Sequence, residues 1–336
     1  MHRSNNIIPI LEGISHIIDG NTNKAISVFK DYTLKGDHSP ENYIILGKLY
    51  RQQKEYIRAI KIHESINSIV NLDNNVKYYN LQELIYSYYG YGDYEKALYY
   101  ANGIKHKNDA IFKIMADSYL QLKLYEKAAK IYKKLEKQKD TLFLRHVAYC
   151  YFLEEEDLFP TPSSKALSII KKGLKHYDKS RRGNMLLIDY YYQKKENNNC
   201  INSIEKFIDE RLAKCDSDLN ILEKIYFDID NIENFAAKIL KAFKSDEKNV
   251  FFALYLSDYY ERMNKIEKAS DILKKNIQLN GLRRIVIKKY LTLKNDETLK
   301  LIIDEQNYKC LKCESIYSAY SDICNSCKSI ETLKPY

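Results

Sequence analysis

The sequence predicts an all-α fold in which helical hairpins repeat along the chain and a small cysteine-rich module closes the C-terminus. Three observations carry that expectation. Only 10 glycines and 5 prolines occur among 336 residues, too little punctuation for the many turns of a sandwich or barrel. An alanine returns in the same setting at intervals of 34, 38 and 31 residues. Near the end, four cysteines stand in two matched pairs.

The repeat comes first along the chain. Asn23-Lys24-Ala25-Ile26, Ile57-Arg58-Ala59-Ile60, Glu95-Lys96-Ala97-Leu98 and Glu126-Lys127-Ala128-Ala129 share one pattern, and their spacing brackets the 34-residue period of tetratricopeptide repeats. Twelve residues before each alanine lie Gly13, Gly47, Ile85 and Ala116; nine before lie His16, Tyr50, Tyr88 and Tyr119. In a helix–turn–helix hairpin, small residues belong where the two backbones pass closest, and a ring fills the wedge beside them.

Later units follow the same register. Ala166 comes after an acidic, proline-containing insertion, Glu154 to Pro162, expected to be a solvated loop. Cys200, with Ile188 and Tyr191, takes the alanine place 34 residues on; Ala236 or Ala237, then Ala269 with Ser257 and Tyr260, continue it. Ser39-Pro40 reads as an N-cap followed by the first helical residue. The expectation is a tetratricopeptide-repeat solenoid of about eight hairpins over residues 1–305, with a separate zinc ribbon over 306–336.

That ribbon rests on Cys310-Leu311-Lys312-Cys313, ten intervening residues, and Cys324-Asn325-Ser326-Cys327. Two Cys-x2-Cys knuckles aim four thiolates at one ion, and zinc in such a set is closed, tetrahedral and structural. Iron would take the same ligands in a rubredoxin-like site. A disulfide pair, a redox-active dithiol or a nucleic-acid-binding ribbon are the other readings of such cysteines. Cys150, Cys200 and Cys215 lack metal spacing and read as packed thiols. The seven histidines form no ligand pair; His63, four residues after Ala59, belongs to hairpin packing.

Composition bounds the rest. With 45% hydrophobic residues the chain can bury a core. The formal charge of +9 is spread along the chain, and Arg181-Arg182, Arg283-Arg284 and Lys288-Lys289 read as solvated helix faces, with no nucleic-acid partner expected. No apolar run reaches the ~20 residues of a membrane span. Ile7-Ile8-Pro9-Ile10-Leu11 is broken by proline and followed by Glu12, so it reads neither as signal nor as anchor. Phosphate-cradling loops, nucleophile elbows and acid–base constellations are missing, which points away from an enzyme. Seven cysteines, four of them in a metal-like set, suit a reducing cytoplasmic setting.

Leu46-Gly47-Lys48-Leu49-Tyr50-Arg51, continuing through Tyr56 to Glu64, resembles a repeat of the lipopolysaccharide assembly protein B family. The run from Tyr308 to Pro335, with its closing Thr332-Leu333-Lys334-Pro335, resembles that family's rubredoxin-type ribbon. The resemblance implies a non-enzymatic adaptor at the cytoplasmic face of the inner membrane that presents the deacetylase LpxC to the protease FtsH, so tuning lipopolysaccharide (lipid A) synthesis. It also implies that Cys310, Cys313, Cys324 and Cys327 are the metal ligands. Family members begin with a transmembrane helix, whereas this sequence starts almost directly in its first repeat; peripheral association with the inner membrane is the corresponding expectation. Glu314 and Asn325 replace the family's usual Gly and Pro, and Asp322 replaces an aromatic residue. Glu314 is expected to loosen the first knuckle. Lys48, Arg51, Asp117 and Gln121 are candidates to face a partner groove, while Arg58 has no assigned contact.

Overall fold

The computed structural model describes residues 7–34, 39–136, 142–158, 161–229, 232–294 and 308–335. The chain forms two compact units, Met1–Phe143 and Leu144–Tyr336. The first contains α1 (Ile7–Ile18), α2 (Thr22–Leu34), α3 (Pro40–Gln52), α4 (Tyr56–Asn67), α5 (Asn74–Tyr91), α6 (Tyr94–Gly103), α7 (Asp109–Gln121) and α8 (Tyr125–Glu136). These helices pair as four antiparallel hairpins.

Starting at the boundary, α9 (Leu142–Leu158) leads into the second unit, with α10 (Ser164–His176), α11 (Arg181–Gln193), α12 (Asn197–Asp209), α13 (Asp216–Asp228), α14 (Ile232–Ser245), α15 (Val250–Arg262), α16 (Ile266–Asn280) and α17 (Arg284–Leu293). There follow three short strands: β1 (Tyr308–Cys310), β2 (Ile316–Tyr317) and β3 (Leu333–Pro335), in the antiparallel order β2-β1-β3. The fold is all-α and of tetratricopeptide type, with a four-cysteine ribbon at its C-terminus.

The repeated alanines Ala25, Ala59, Ala97, Ala128, Ala166 and Ala269 are all buried, as is Cys200 in the same place. The small residue on the first helix, however, makes room for the side chain one turn after the alanine. A Cβ on Gly13 would meet the Phe29 ring at 2.6 Å, and one on Gly47 would meet His63 Nε2 at 2.5 Å. Phe29, His63, Tyr132, Ile170, Ile204 and Leu273 continue that buried series. Ala236 is buried and Ala237 is not; Phe235 and Ile239 fill the core of that hairpin completely.

A second regularity lies in the turns. The residue five before the packing position is left-handed in six of the hairpins, at Gly20, Lys54, Gly92, Lys123, Lys195 and Asn264, with φ from +56° to +93°. The next N–H turns back to the first helix, as in Glu55 to Tyr50 O (2.9 Å), Leu124 to Tyr119 O (2.8 Å) and Lys265 to Tyr260 O (2.8 Å). This Schellman closure satisfies a carbonyl that the helix end would leave bare.

First helices of neighbouring hairpins are tied by carboxylates. Arg51 reaches Glu83 at 2.8 Å and Tyr89 donates to Asp117 at 3.4 Å. In the second unit Tyr192 donates to Asp228, Tyr255 and Arg262 both hold Glu223, and Lys289 bridges Asp258 and Glu261.

The expected loop at Glu154 to Pro162 is corrected at its start. Glu154 through Leu158 form the last turns of α9, and Glu155 is only 8% exposed. Phe152 explains the need for helix here: its buried ring lies against Gly173 and Gly183, each leaving no room for a Cβ. Phe159 and Pro160 lie outside the described residues.

Candidate metal centre

Cys310 ends β1, Cys313 follows in a turn, and Cys324 and Cys327 repeat that arrangement 14 residues later. The two knuckles are close copies. Cys310 N–H donates to Ser315 O and Cys324 N–H to Ser329 O, both at 2.9 Å. Glu314 N–H returns to Cys310 O (2.9 Å), as Lys328 N–H does to Cys324 O (2.8 Å). Glu314 and Lys328 both adopt left-handed backbone, φ +60° and +57°. The expectation at Glu314 thus takes physical form: a non-glycine residue holds the strained position in each knuckle.

The four sulfurs lie within 4.8 Å of one another. Cys310 Sγ is 3.8 Å from Cys327 Sγ, and Cys313 Sγ is 3.5 Å from Cys324 Sγ. An S–S bond would need about 2.05 Å, and all four thiols are free. A tetrahedron with metal–sulfur bonds of ~2.3 Å has edges of about 3.8 Å. The set therefore fits a four-coordinate soft metal ion and can hold one.

The surroundings favour the thiolate at Cys310 and Cys324. Burial raises the Cys310 thiol, but the Thr332 hydroxyl (3.2 Å), the N–H groups of Cys313 and Lys312, and the Ser329 hydroxyl outweigh it, bringing the group down to about 5. Cys324 is lowered likewise: burial opposes, while the Tyr317 hydroxyl at 3.1 Å and the N–H groups of Cys327 and Ser326 prevail. Cys313 is raised: its bonds to Ser315 lower it, but burial and the neighbouring sulfurs of Cys324 and Cys327 outweigh them.

Strand pairing fixes the first knuckle. Tyr308 faces Tyr317 on one side and Pro335 on the other, and Cys310 faces Leu333. The closing Thr332-Leu333-Lys334-Pro335 thus supplies both β3 and a hydroxyl at Cys310.

The ribbon is bolted to the helices of its unit by pairings that sequence reasoning did not foresee. Arg181, at the start of α11, donates Nε to both oxygens of Asp218 at 2.9 Å and Nη2 to Oδ1 at 2.5 Å; its Nη1 reaches Asp322 at 3.3 Å. The guanidinium also lies 5.4 Å from the Tyr320 ring centre. Asp218 is fully buried and further accepts from the N–H groups of Lys214 and Cys215. Burial raises its carboxyl, but Arg181 wins and holds it below the usual range. Glu331 accepts from Ser180 Oγ at 2.7 Å, and Arg145 donates to Ile330 O at 3.3 Å. The arginine doublet read as a solvated face is thus half-buried and paired, with Arg182 committed to Glu156 and the Tyr149 hydroxyl.

The other candidates fall as follows. Cys150 and Cys200 are buried, with Cys200 Sγ 3.7 Å from Ile188 O, and burial pushes its thiol up to about 11. Cys215 caps α13. His63 is buried in its hairpin, with Nδ1 2.9 Å from Asn80 Oδ1. Arg58 pairs with Glu55 at 2.6 Å. Of the groove candidates, Lys48 and Gln121 are exposed, whereas Arg51 and Asp117 are used within the array. Among the described residues, no helix is long and apolar enough to cross a membrane.

No family model matches the chain. Curated relatives do: lipopolysaccharide assembly protein B of Escherichia coli K12 is 22% identical over 96% of this chain and 88% of its own length. This chain resembles lipopolysaccharide assembly protein B. The protein of that name from Haemophilus influenzae is 21% identical with the same coverage. Solved structures with similarity include a tetratricopeptide repeat protein from Parabacteroides merdae (18% identity, TM-score 0.30, 87% of this chain and 99% of that one). Another is the C-terminal part of a TPR repeat-containing protein from Cytophaga hutchinsonii (14%, 0.42, 83% and 98%). The likeness to lipopolysaccharide assembly protein B spans repeats and ribbon alike, as the sequence motifs implied.

Proposed function

We propose that the chain is a non-enzymatic adaptor whose repeats hold protein partners and whose ribbon is organised by zinc on Cys310, Cys313, Cys324 and Cys327. The partners are LpxC and FtsH, brought together at the cytoplasmic face of the inner membrane to regulate lipopolysaccharide synthesis. The observation that carries this reading is the likeness to lipopolysaccharide assembly protein B along 96% of the chain. Tetratricopeptide arrays present extended surfaces to proteins. Zinc is preferred to iron because a closed thiolate tetrahedron serves it without redox chemistry.

Two measurements test the proposal. Elemental analysis is expected to find one zinc per chain and no visible absorption; a coloured iron protein would replace zinc with an electron-carrying centre. Affinity capture from a Gram-negative host is expected to recover LpxC and FtsH. Recovery of other proteins alone would leave a general cytoplasmic interaction scaffold with a structural metal, and would refute the lipopolysaccharide role.

A further inference from the structure

Between α9 and α11 lies a cavity of about 180 Å³, bounded by Glu155, Glu156, Pro162, Leu186, Asp189 and Gln193. Its charges are unbalanced. Glu156 is held by Arg182, at 2.8 Å to Nε. Asp189 has only a neutral donor, Gln193 Nε2 at 2.5 Å. Glu155 is more than nine-tenths buried and forms no hydrogen bond or ion pair among the described residues. Among the described residues the nearby guanidinium, Arg182, is already taken by Glu156, leaving Glu155 and Asp189 without a cationic partner.

A carboxylate on a residue only 8% exposed, with no hydrogen bond, is favoured by either a proton or a positive partner. Burial first, then Glu156 and Asp189, push the Glu155 carboxyl up to about 7; burial likewise raises Asp189, against the Gln193 bond. Both shifts have the sign that a bound cation would reverse.

We propose that this cavity is a socket for one primary ammonium group, of the kind a partner protein's lysine side chain carries. Leu186, Pro162 and Tyr190 line it and suit the methylenes of such a side chain, while Glu155, Asp189 and the Gln193 carbonyl supply acceptors to a three-donor head. A divalent metal fits less well: among the described residues, the four cysteines are the one group of three or more ligand atoms close enough to hold a metal. The lysine source rests on the adaptor reading; the ammonium chemistry does not.

The test is saturation-transfer NMR on the full chain at pH 8, with N-acetyl-lysine methylamide, its norleucine analogue and n-butylammonium as probes. The two amines are expected to give signal and norleucine none, and Glu155→Gln should weaken amine binding at least about tenfold, equal to ~1.4 kcal/mol. Removing a buried charge leaves that variant free to fold, which circular dichroism checks, and Glu95→Gln on α6 should bind as the parent does. Equal signal from Glu155→Gln, equal signal from norleucine, or no amine signal at about 20 mM overturns the socket. Displacement of the amines by low calcium would reassign it to a metal. Because the probes are small molecules, failure here is distinguishable from failure to capture LpxC and FtsH.

Discussion

Arg181→Met is the perturbation with the widest reach. It removes the guanidinium that donates three contacts of 2.5–2.9 Å to Asp218 and one of 3.3 Å to Asp322. Asp218 is fully buried, so the substitution strands a charge away from water. Losing one member of a buried pair costs about 3–5 kcal/mol. The N–H groups of Lys214 and Cys215 still cover Asp218, placing the expected loss near ~3 kcal/mol, over a hundredfold in the folded-to-unfolded ratio. With no Trp in the chain, urea unfolding is best followed by circular dichroism, with release of the proposed zinc read by a chromogenic chelator. Because Asp322 joins the pair to the ribbon, zinc should leave at lower urea in the variant. Acid adds a second readout. The folded Asp218 carboxyl is depressed, so its stabilisation is full above the unfolded value of about 3.9 and lost as pH falls through the folded one. Without Arg181 the folded carboxyl is no longer held down while the unfolded value is unchanged, so this acid-side loss should shrink or vanish. A midpoint unchanged within about 0.5 kcal/mol, or an unmoved acid limb, refutes the assignment.

Gly47→Ala should destabilise the second hairpin by about 1–2 kcal/mol: overpacking costs ~1–3, offset by up to ~1 from alanine's helix preference. His63 cannot yield, being buried and held by Asn80; a neutral or raised melting temperature would count against the contact. His63 itself is held low by burial, against the Asn80 bond. As a base with a depressed folded value, its stabilisation is full above about 6.5 and declines as pH falls from there through the folded value. His63→Phe, copying Phe29 of the first hairpin, should flatten that limb in thermal melts between about pH 7 and 5; an unchanged slope contradicts it. Glu314→Gly should relieve the left-handed backbone at φ +60° and tighten zinc binding by about 1 kcal/mol in chelator competition; weaker binding would show the strain is not borne there.

The repeats were legible because packing demanded one residue type at one place: Ala25, Ala59, Ala97 and Ala128 have no room to vary. The cysteine set was legible because ligand chemistry allows few substitutes. What stayed hidden depends on pairs distant in sequence. Asp322 read as a lost aromatic, yet it meets Arg181 across 141 positions. The left-handed turns escaped notice because Lys54, Lys123 and Lys195 fill them instead of glycine. Glu155 looked solvated because its neighbours are acidic, while Phe152 and its two glycine partners carry the helix, and the carboxylate with it, into the interior. Residue type announces a hydrophobic seat; it does not announce which charged group will share it.

The carboxylate ties between successive first helices have an evolutionary and practical consequence. Hairpin two carries Arg51 but its acid resides in hairpin three; Tyr89 of hairpin three answers to Asp117 of hairpin four. Hairpin seven offers Glu223 to Tyr255 and Arg262 of hairpin eight. Each of these hairpins is therefore one half of a key whose other half is cut into its neighbour. Deleting or duplicating a hairpin would bring unmatched halves together, so this array can change length only if both flanking units are rewritten at the same time.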